Sequence, residues 1–214
     1  MRTLAIVPIK RFALAKSRLA ERLSDEQRQA IAEAMVTDVL SALATSRELA
    51  GVLVITNEDL VVPIAERLGA EVEPDSREGG QSAAATIGLE RACRDGFERA
   101  LLLPGDCPAL DRDELDQLVS AHGEPVVIVP DRHGTGTNAL LLTPPDAIAP
   151  AFGPGSFERH CELARAGGVE FAVARPETLL LDIDTAADLA ALLAGPRSRA
   201  PRTRTAYAAA MTGS

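Results

Sequence analysis

The chain has 214 residues, 46% of them hydrophobic, enough for one large α/β domain with a buried core. Aromatic residues make up 3%, with no Trp and a single Tyr, which argues for an aliphatic core and against the stacking platforms of a nucleic-acid binder. A net charge of −9 argues against a broad nucleic-acid surface but leaves open a small anionic substrate, which needs only a local nest of donors.

The predicted elements alternate along the chain. Residues 4–8 form a short apolar run, expected as the first strand. Ser24-Asp25-Glu26-Gln27 has capping-box spacing and opens a helical pattern to about residue 46, with Ile31, Met35, Val39 and Leu43 on one buried stripe. A strand over 52–56 follows, then a helix over about 59–68 that Gly69 is placed to end. Val72 is expected to lie on a short strand before a loop over 74–80. A helix over 81–94, a strand over 100–103 and a helix over 111–121 come next. Strands over 125–130 and 138–143, a helix over 156–166, a strand over 171–174 and a helix over 185–193 complete the pattern. Such alternation predicts a mostly parallel sheet covered on both faces, with ligands beyond the carboxyl ends of its strands.

The segment 196–214 holds Arg197, Arg199, Arg202 and Arg204 and no acid, so the body before it carries about −13. Rich in Pro, Arg, Ser, Thr and Ala, that segment is expected to be a basic, disordered tail to a domain over 1–195. Three widely spaced cysteines (Cys93, Cys107, Cys161) show no metal-finger or redox spacing, and reduced thiols of a cytoplasmic protein are expected. The N-terminus lacks a signal-peptide layout, and no run approaches the ~18 apolar residues of a membrane span.

Five stretches carry candidate chemistry. Leu179-Leu180-Leu181-Asp182-Ile183-Asp184 is an apolar run ending in two aspartates one residue apart. On a strand, Asp182 and Asp184 would project to the same side, a pair that repels itself unless a cation or proton intervenes. A hard divalent cation, Mg²⁺ above all, suits such oxygens. Asp184 alternatively caps the helix that follows. Leu101-Leu102-Leu103-Pro104-Gly105-Asp106 repeats the design, with prolines on both sides shaping a rigid turn. Beyond the first strand, Lys10, Arg11, Lys16 and Arg18 place four cations within nine residues. They suit triphosphate oxygens, and equally a solvated basic loop; no P-loop spacing is present.

The stretch from His133 to Ala139 matches a dinucleotide fingerprint in letters. A strand rather than a helix follows it, so that fold is rejected. What remains is a Gly/Thr turn offering amides and hydroxyls to a phosphate or carboxylate, or a plain hairpin turn. Phe152-Gly153-Pro154-Gly155-Ser156 leads into a helix whose first turns hold Arg159 and His160, an anion-friendly helix start or a simple N-cap. His160 taken alone reads as packing. Cys107 has no base beside it, so covalent catalysis lacks support.

Taken in order, Val7-Pro8-Ile9-Lys10 with Ala15-Lys16-Ser17-Arg18-Leu19, Gly105-Asp106-Cys107-Pro108, Gly134-Thr135-Gly136-Thr137-Asn138, Phe152-Gly153-Pro154-Gly155-Ser156 and Asp182-Ile183-Asp184-Thr185 resemble one family. It is that of the phosphoenolpyruvate / 2-phospho-L-lactate guanylyltransferases of deazaflavin coenzyme F(420) biosynthesis. The resemblance spans about residues 4–193. It implies a three-layer α/β/α sandwich, a Rossmann-like nucleotidyltransferase fold with a mostly parallel mixed sheet. It also implies Mg²⁺ on Asp106, Asp182 and Asp184, an acceptor site at Thr137, Gly153 and Ser156, and GTP phosphates held by Lys10, Lys16 and Arg18. The activity implied is transfer of GMP from GTP onto phosphoenolpyruvate, with 2-phospho-L-lactate or 3-phospho-D-glycerate as alternative acceptors. A non-catalytic nucleotide-binding domain is the alternative of another class. The family's Leu-Asn pair near the guanine is replaced here by Gly79-Gly80-Gln81-Ser82. Neither nucleic acid nor membrane is expected as a partner, and a homodimer is left open. Molybdopterin and sugar-phosphate nucleotidyltransferases are disfavoured because no glycine precedes residue 51. A dehalogenase-type phosphatase is disfavoured because its aspartate motif belongs on the first strand.

Overall fold

The computed structural model describes residues 1–12 and 23–212. Within them lie seven strands: β1 (Thr3–Ile9), β2 (Gly51–Thr56), β3 (Glu71–Glu73), β4 (Arg99–Leu102), β5 (Val126–Pro130), β6 (Thr137–Leu142) and β7 (Phe171–Val173). The helices are α1 (Asp25–Ala44), α2 (Val62–Arg67), α3 (Gln81–Arg94), α4 (Arg112–Ala121), α5 (Ser156–Ala166), α6 (Ala186–Ala194) and α7 (Pro201–Thr212). The strands form a single sheet in the order β3-β2-β1-β4-β6-β5-β7. β1 pairs in parallel with β2 and β4, β2 with β3, and β5 with β7, whereas β6 runs antiparallel to both β4 and β5.

Strict alternation along the strands builds the two cores. Ala5, Val7, Val54, Leu101, Val127, Val129 and Leu141 face one side, against α1, α2, α4, α6 and α7. Leu4, Ile6, Leu53, Ile55, Leu102, Ile128 and Leu140 face the other, against α3 and α5. Residues two apart on a strand share a face, so one sheet feeds two apolar layers and the three-layer sandwich follows. Glycine 88 sets the distance of α3 from the sheet. A Cβ there would lie 2.3 Å from Ile6 Cγ2, so only Gly lets the helix seat this closely. The Ser24 capping box is formed as its spacing predicts, with Gln27 as its reciprocal partner.

Two expectations are corrected. The run over 179–184 is not a strand: Glu177–Leu179 is a 3₁₀ turn, and Leu180 to Asp184 continue without pairing in the sheet. The segment after Gly195 is not a disordered tail, because α7 packs along α1. Arg199 and Arg202 find carboxylates far away in sequence, Glu114 and Asp38. Asp38 of α1, almost fully buried, accepts from the amides of Arg202 (3.2 Å) and Thr203 (2.9 Å) and from the Thr203 hydroxyl (2.8 Å), capping α7 from outside. Arg204 collects the carbonyls of Leu192, Leu193, Gly195 and Pro196 at the end of α6. Arg199 sits 3.7 Å from Glu114 and 3.8 Å from Glu177. Among the described residues, no helix is long and apolar enough to cross a membrane.

Replacing Asp38 by Ala removes the cap of α7 and leaves its first amides without a partner. The expected cost is about 1–2 kcal/mol, read by equilibrium urea unfolding, together with proteolytic nicking near residue 200. An unchanged midpoint would show that α7 does not depend on this carboxylate.

Candidate active site

The parallel partners of β1 lie on either side of it, β2 and β4, so the chain leaves the sheet in opposite directions at this point. A crevice therefore opens beyond the carboxyl ends of β1 and β4. The strand β6 runs the other way, pairing Leu140 with Leu102 and Leu142 with Ala100. Its first residues, Thr137 and Asn138, consequently arrive at the same edge as the turn after β4.

Asp106 is carried by that turn. The amide of Ile183 donates to the Asp106 carbonyl over 3.0 Å, which joins the two acidic stations directly. Ile183 is fully buried and anchors the segment that carries Asp182 and Asp184. The side chain of Asn138, itself 4% exposed, donates to the Leu179 carbonyl (2.8 Å) and to Asp182 Oδ1 (3.3 Å). Burial, the charge of Asp106 and then the charge of Asp184 push the Asp182 carboxyl above its ordinary value, against the hydrogen bond from Asn138.

Asp184 does not cap the next helix. Thr185 is the N-cap of α6, and Asp188 closes a capping box with it. The Asp188 carboxylate accepts from the amides of Asp184 (3.1 Å) and Thr185 (2.7 Å) and from the Thr185 hydroxyl (2.7 Å), and it pairs with Arg132. Burial alone would raise the Asp188 carboxyl, but the Thr185 and Asp184 donors and the Arg132 charge outweigh it and hold it low.

Among the described residues, no three carboxylate, imidazole or thiolate groups converge closely enough to enclose one ion. The three aspartates expected as metal ligands thus share a site and interact through charge without meeting at one point. The donor chemistry nonetheless suits a hard divalent cation: oxygen ligands, one of them made reluctant to ionise by burial and by two like charges.

The acceptor-side residues also gather. The amide of Phe157 donates to the Thr135 carbonyl (3.2 Å), docking the start of α5 on the turn before β6. Thr137 and Ser156 are both buried, Ser156 being 1% exposed. Gly153 adopts φ +112°, a conformation that side chains resist, and its carbonyl accepts from the Ser156 amide (3.0 Å). Arg159 takes the carbonyls of Ala151 (2.9 Å), Phe152 (3.3 Å) and Pro154, drawing the oxygens of this loop to one side. The Phe152 amide donates to Ser82 Oγ (2.8 Å), which ties the loop to the first turn of α3.

Not every expected donor is available. Asp131 accepts from the Thr135 amide (2.8 Å) and hydroxyl (3.2 Å), and its carbonyl accepts from the Gly134 amide (3.1 Å). The Gly/Thr turn therefore satisfies itself, and its exit residue, Thr137, meets His160 instead. His160 is fully buried and bonded to Thr137 and Ala151, so its role exceeds packing.

Beyond the end of β1, the Thr56 hydroxyl donates to the Ile9 carbonyl (2.8 Å), and the Glu58 carboxylate accepts from the Phe12 amide (2.7 Å). These bonds fix the course of residues 9–12. Lys10 is exposed there, whereas Lys16 and Arg18 lie outside the described residues.

Sequence reasoning passed over Asn138, Asp188 and Asp131. Only the Thr185/Asp188 spacing carried a readable signal, as a capping box; the other two act on partners that the spacing does not reveal.

The order of the strands, the reversed β6 and the acidic crevice define a nucleotidyltransferase fold. Solved structures agree in fold. A nucleotidyl transferase from Methanothermobacter thermautotrophicus superposes with TM-score 0.63 at 21% identity, covering 95% of this chain and 99% of that one. A 4-diphosphocytidyl-2C-methyl-D-erythritol synthase from Anaerococcus prevotii gives TM-score 0.62 at 12% identity over 90% and 96%. Residues 3–201 match the family model described as guanylyl transferase CofC like, and the chain belongs to that family. A phosphoenolpyruvate guanylyltransferase from Conexibacter woesei is 44% identical over 213 residues, 95% of this chain and 94% of that protein. A 2-phospho-L-lactate guanylyltransferase from Methanothermobacter thermautotrophicus is 34% identical over 90% of this chain and 85% of that protein.

Two measurements probe the site's electrostatics. Asp182→Asn keeps an acceptor for Asn138 while removing one of three crowded charges. It is expected to raise the thermal unfolding midpoint in chelator; a fall would show that the charge is not a burden. His160 is lowered by burial, and secondarily by the charge of Arg159, from 6.5 to about 4. The unfolded chain binds this proton more readily than the folded one, so His160 contributes stability that is full above pH 6.5 and lost as pH falls toward 4. Urea unfolding at pH 7 and 4.5 should show a smaller loss for His160→Gln than for the wild type.

Proposed function

We propose that the chain transfers the guanylyl group of GTP to the phosphate of phosphoenolpyruvate, releasing pyrophosphate. The observation that carries this reading is the joining of Asp106 to Asp182 and Asp184 at the crevice beside β1, with the buried residues Thr137 and Ser156 nearby, in a chain of this family. Relatives named for phosphoenolpyruvate reach 44% and 40% identity against 34% for one named for 2-phospho-L-lactate, which favours the former acceptor.

The acceptor's phosphate is already an anionic nucleophile, so little acid–base help is needed. One of its oxygens attacks the α-phosphorus of GTP; the new O–P bond forms as the bond to the bridging oxygen of the β-phosphate breaks. The electron pair leaves with pyrophosphate, and the product is enolpyruvoyl-2-diphospho-5'-guanosine with a new phosphoanhydride. The barrier is the approach of two like-charged groups, and positioning them supplies much of the catalysis.

Thr137, Gly153 and Ser156 bind the acceptor, through the two hydroxyls and the loop that leads into α5. Lys10, Lys16 and Arg18 hold the triphosphate and neutralise the departing pyrophosphate. Asp106, Asp182 and Asp184 would hold Mg²⁺, which when bound offsets the charge of the phosphates and fixes their geometry. Asn138 orients Asp182, and Asp188 holds the backbone that carries Asp184.

The test is pyrophosphate release across a matrix of GTP and ATP with phosphoenolpyruvate, 2-phospho-L-lactate and 3-phospho-D-glycerate. GTP with phosphoenolpyruvate is expected to turn over fastest, to stop in chelator and to recover on added Mg²⁺. Asp182→Asn should lower the rate by at least about a hundredfold, while its circular dichroism spectrum matches the wild type. Full activity in that variant would overturn the metal-site assignment; binding of GTP without release of pyrophosphate from any pair would indicate a non-catalytic domain.

A further inference from the structure

His160 lies on the second turn of α5, with no exposed surface, between two polar partners. Its Nε2 is 2.9 Å from the Ala151 amide and its Nδ1 is 2.9 Å from Thr137 Oγ1. A backbone amide can only donate, so Nε2 is the accepting nitrogen. A neutral imidazole has one donor, which must then be Nδ1–H, directed at the Thr137 hydroxyl oxygen. Burial keeps the ring neutral at pH 7, as its lowered value of about 4 indicates.

The consequence falls on Thr137. A hydroxyl whose oxygen receives a proton from one side turns its own hydrogen elsewhere. Among the described residues, no protein acceptor takes that hydrogen. The ring is itself held in place. Phe152 meets it edge-on, with centroids 5.2 Å apart, and Arg159 fixes the Ala151 and Phe152 carbonyls, so the amide on Nε2 cannot drift.

We infer that His160 is a positioning residue for the acceptor: by donating to Thr137 it commits the Thr137 hydroxyl to act as a donor toward an anionic oxygen of the phosphorylated acid. The inference rests on Thr137 lining the acceptor pocket, as proposed above. It goes further by making the hydroxyl's direction, not merely its presence, depend on a histidine 23 residues away.

The experiment separates the two nitrogens. His160→Asn retains a donor near the place of Nδ1 and gives up the acceptor for the Ala151 amide. His160→Gln does the reverse. A merely structural histidine, needed to hold the loop, predicts that Gln is the better replacement. A positioning histidine predicts Asn. The expected result is a KM for phosphoenolpyruvate within a few-fold of wild type in His160→Asn. In His160→Gln it should rise about 10- to 100-fold, the loss of one hydrogen bond to a charged group. The KM for GTP should stay within about twofold in both, because α5 lies on the acceptor side.

In a Thr137→Val background the His160→Gln substitution should add nothing to the KM for phosphoenolpyruvate, since the two residues then act as one unit. Equal effects of Asn and Gln, a better Gln, or an undiminished effect in Thr137→Val would each overturn the inference. Thr137→Ala supplies the same comparison if Thr137→Val does not fold, and in Thr137→Ser, which keeps the hydroxyl, the effect of His160→Gln should persist. An inactive wild type with every acceptor would instead remove the functional reading, and the inference with it.

Discussion

One backbone hydrogen bond, from Ile183 to the Asp106 carbonyl, closes the circuit between two chain segments that would otherwise repel each other. Each segment ends in carboxylates. Burial first, and then the charges of Asp106 and Asp184, push the Asp182 carboxyl above its ordinary value, so their approach is unfavourable. The fold offsets it from around the site. Ile183 is buried, Asn138 donates to Asp182, and the Asp188 carboxylate holds the amides of Asp184 and Thr185. On the other flank, Glu114 accepts from the Thr178 amide (2.9 Å) and hydroxyl (3.0 Å), pinning the 3₁₀ turn that precedes the acidic segment. Held from both ends, the carboxylates stay close although nothing in their own chemistry favours it. Functional sites commonly carry such local conflict, supported by the structure around them.

The acceptor side is built on the opposite principle. There the chain removes its own acceptors from the pocket. Arg159 gathers three loop carbonyls, and Asp131 absorbs the amide and hydroxyl of Thr135. The helix α5 begins at Ser156 without a side-chain cap, and the carbonyls of Gly153 and Thr135 take its first two amides. Crowded carboxylates and a loop that satisfies its own polar groups thus stand side by side.

Much of this was legible in the chain. The strands β1, β2, β4, β5 and β6 show as apolar runs, and the Ser24 capping box marks the start of α1 to the residue. The stretch from Leu179 to Asp184 misleads because an apolar run before an aspartate resembles a strand end. Its neighbours settle the matter: side chains of Glu114 and Asn138 take the Thr178 amide and the Leu179 carbonyl, so those backbone groups do not join the ladder. The arginine-rich end misleads for a different reason. Composition counts its four cations as unpaired, while the carboxylates that face Arg199 and Arg202, Glu114 and Asp38, lie over 80 residues away in sequence. His160 could not be read at all. A single histidine carries no pattern, and only the fold brings Thr137 and the Ala151 amide to its two nitrogens.

The reversed strand explains why these parts meet. In an all-parallel sheet, the start of the strand next to β4 would lie at the far edge, away from the crevice. Because β6 is antiparallel, Thr137 and Asn138 begin it at the edge where β4 ends. The bulge between Val129 and Pro130 shifts the register of β5 against β6 just before Asp131, whose carboxylate closes the turn. One change of direction therefore delivers Thr137 to His160 of α5 and Asn138 to Asp182, on consecutive residues whose side chains point to opposite faces. Apolar alternation along the rest of β6 fixes that register, since a slip of one residue would turn Ala139 and Leu141 out of one core and exchange the two polar side chains. The packing of the sheet and the separation of these two side chains, one to His160 and the other to Asp182, are in this way one constraint.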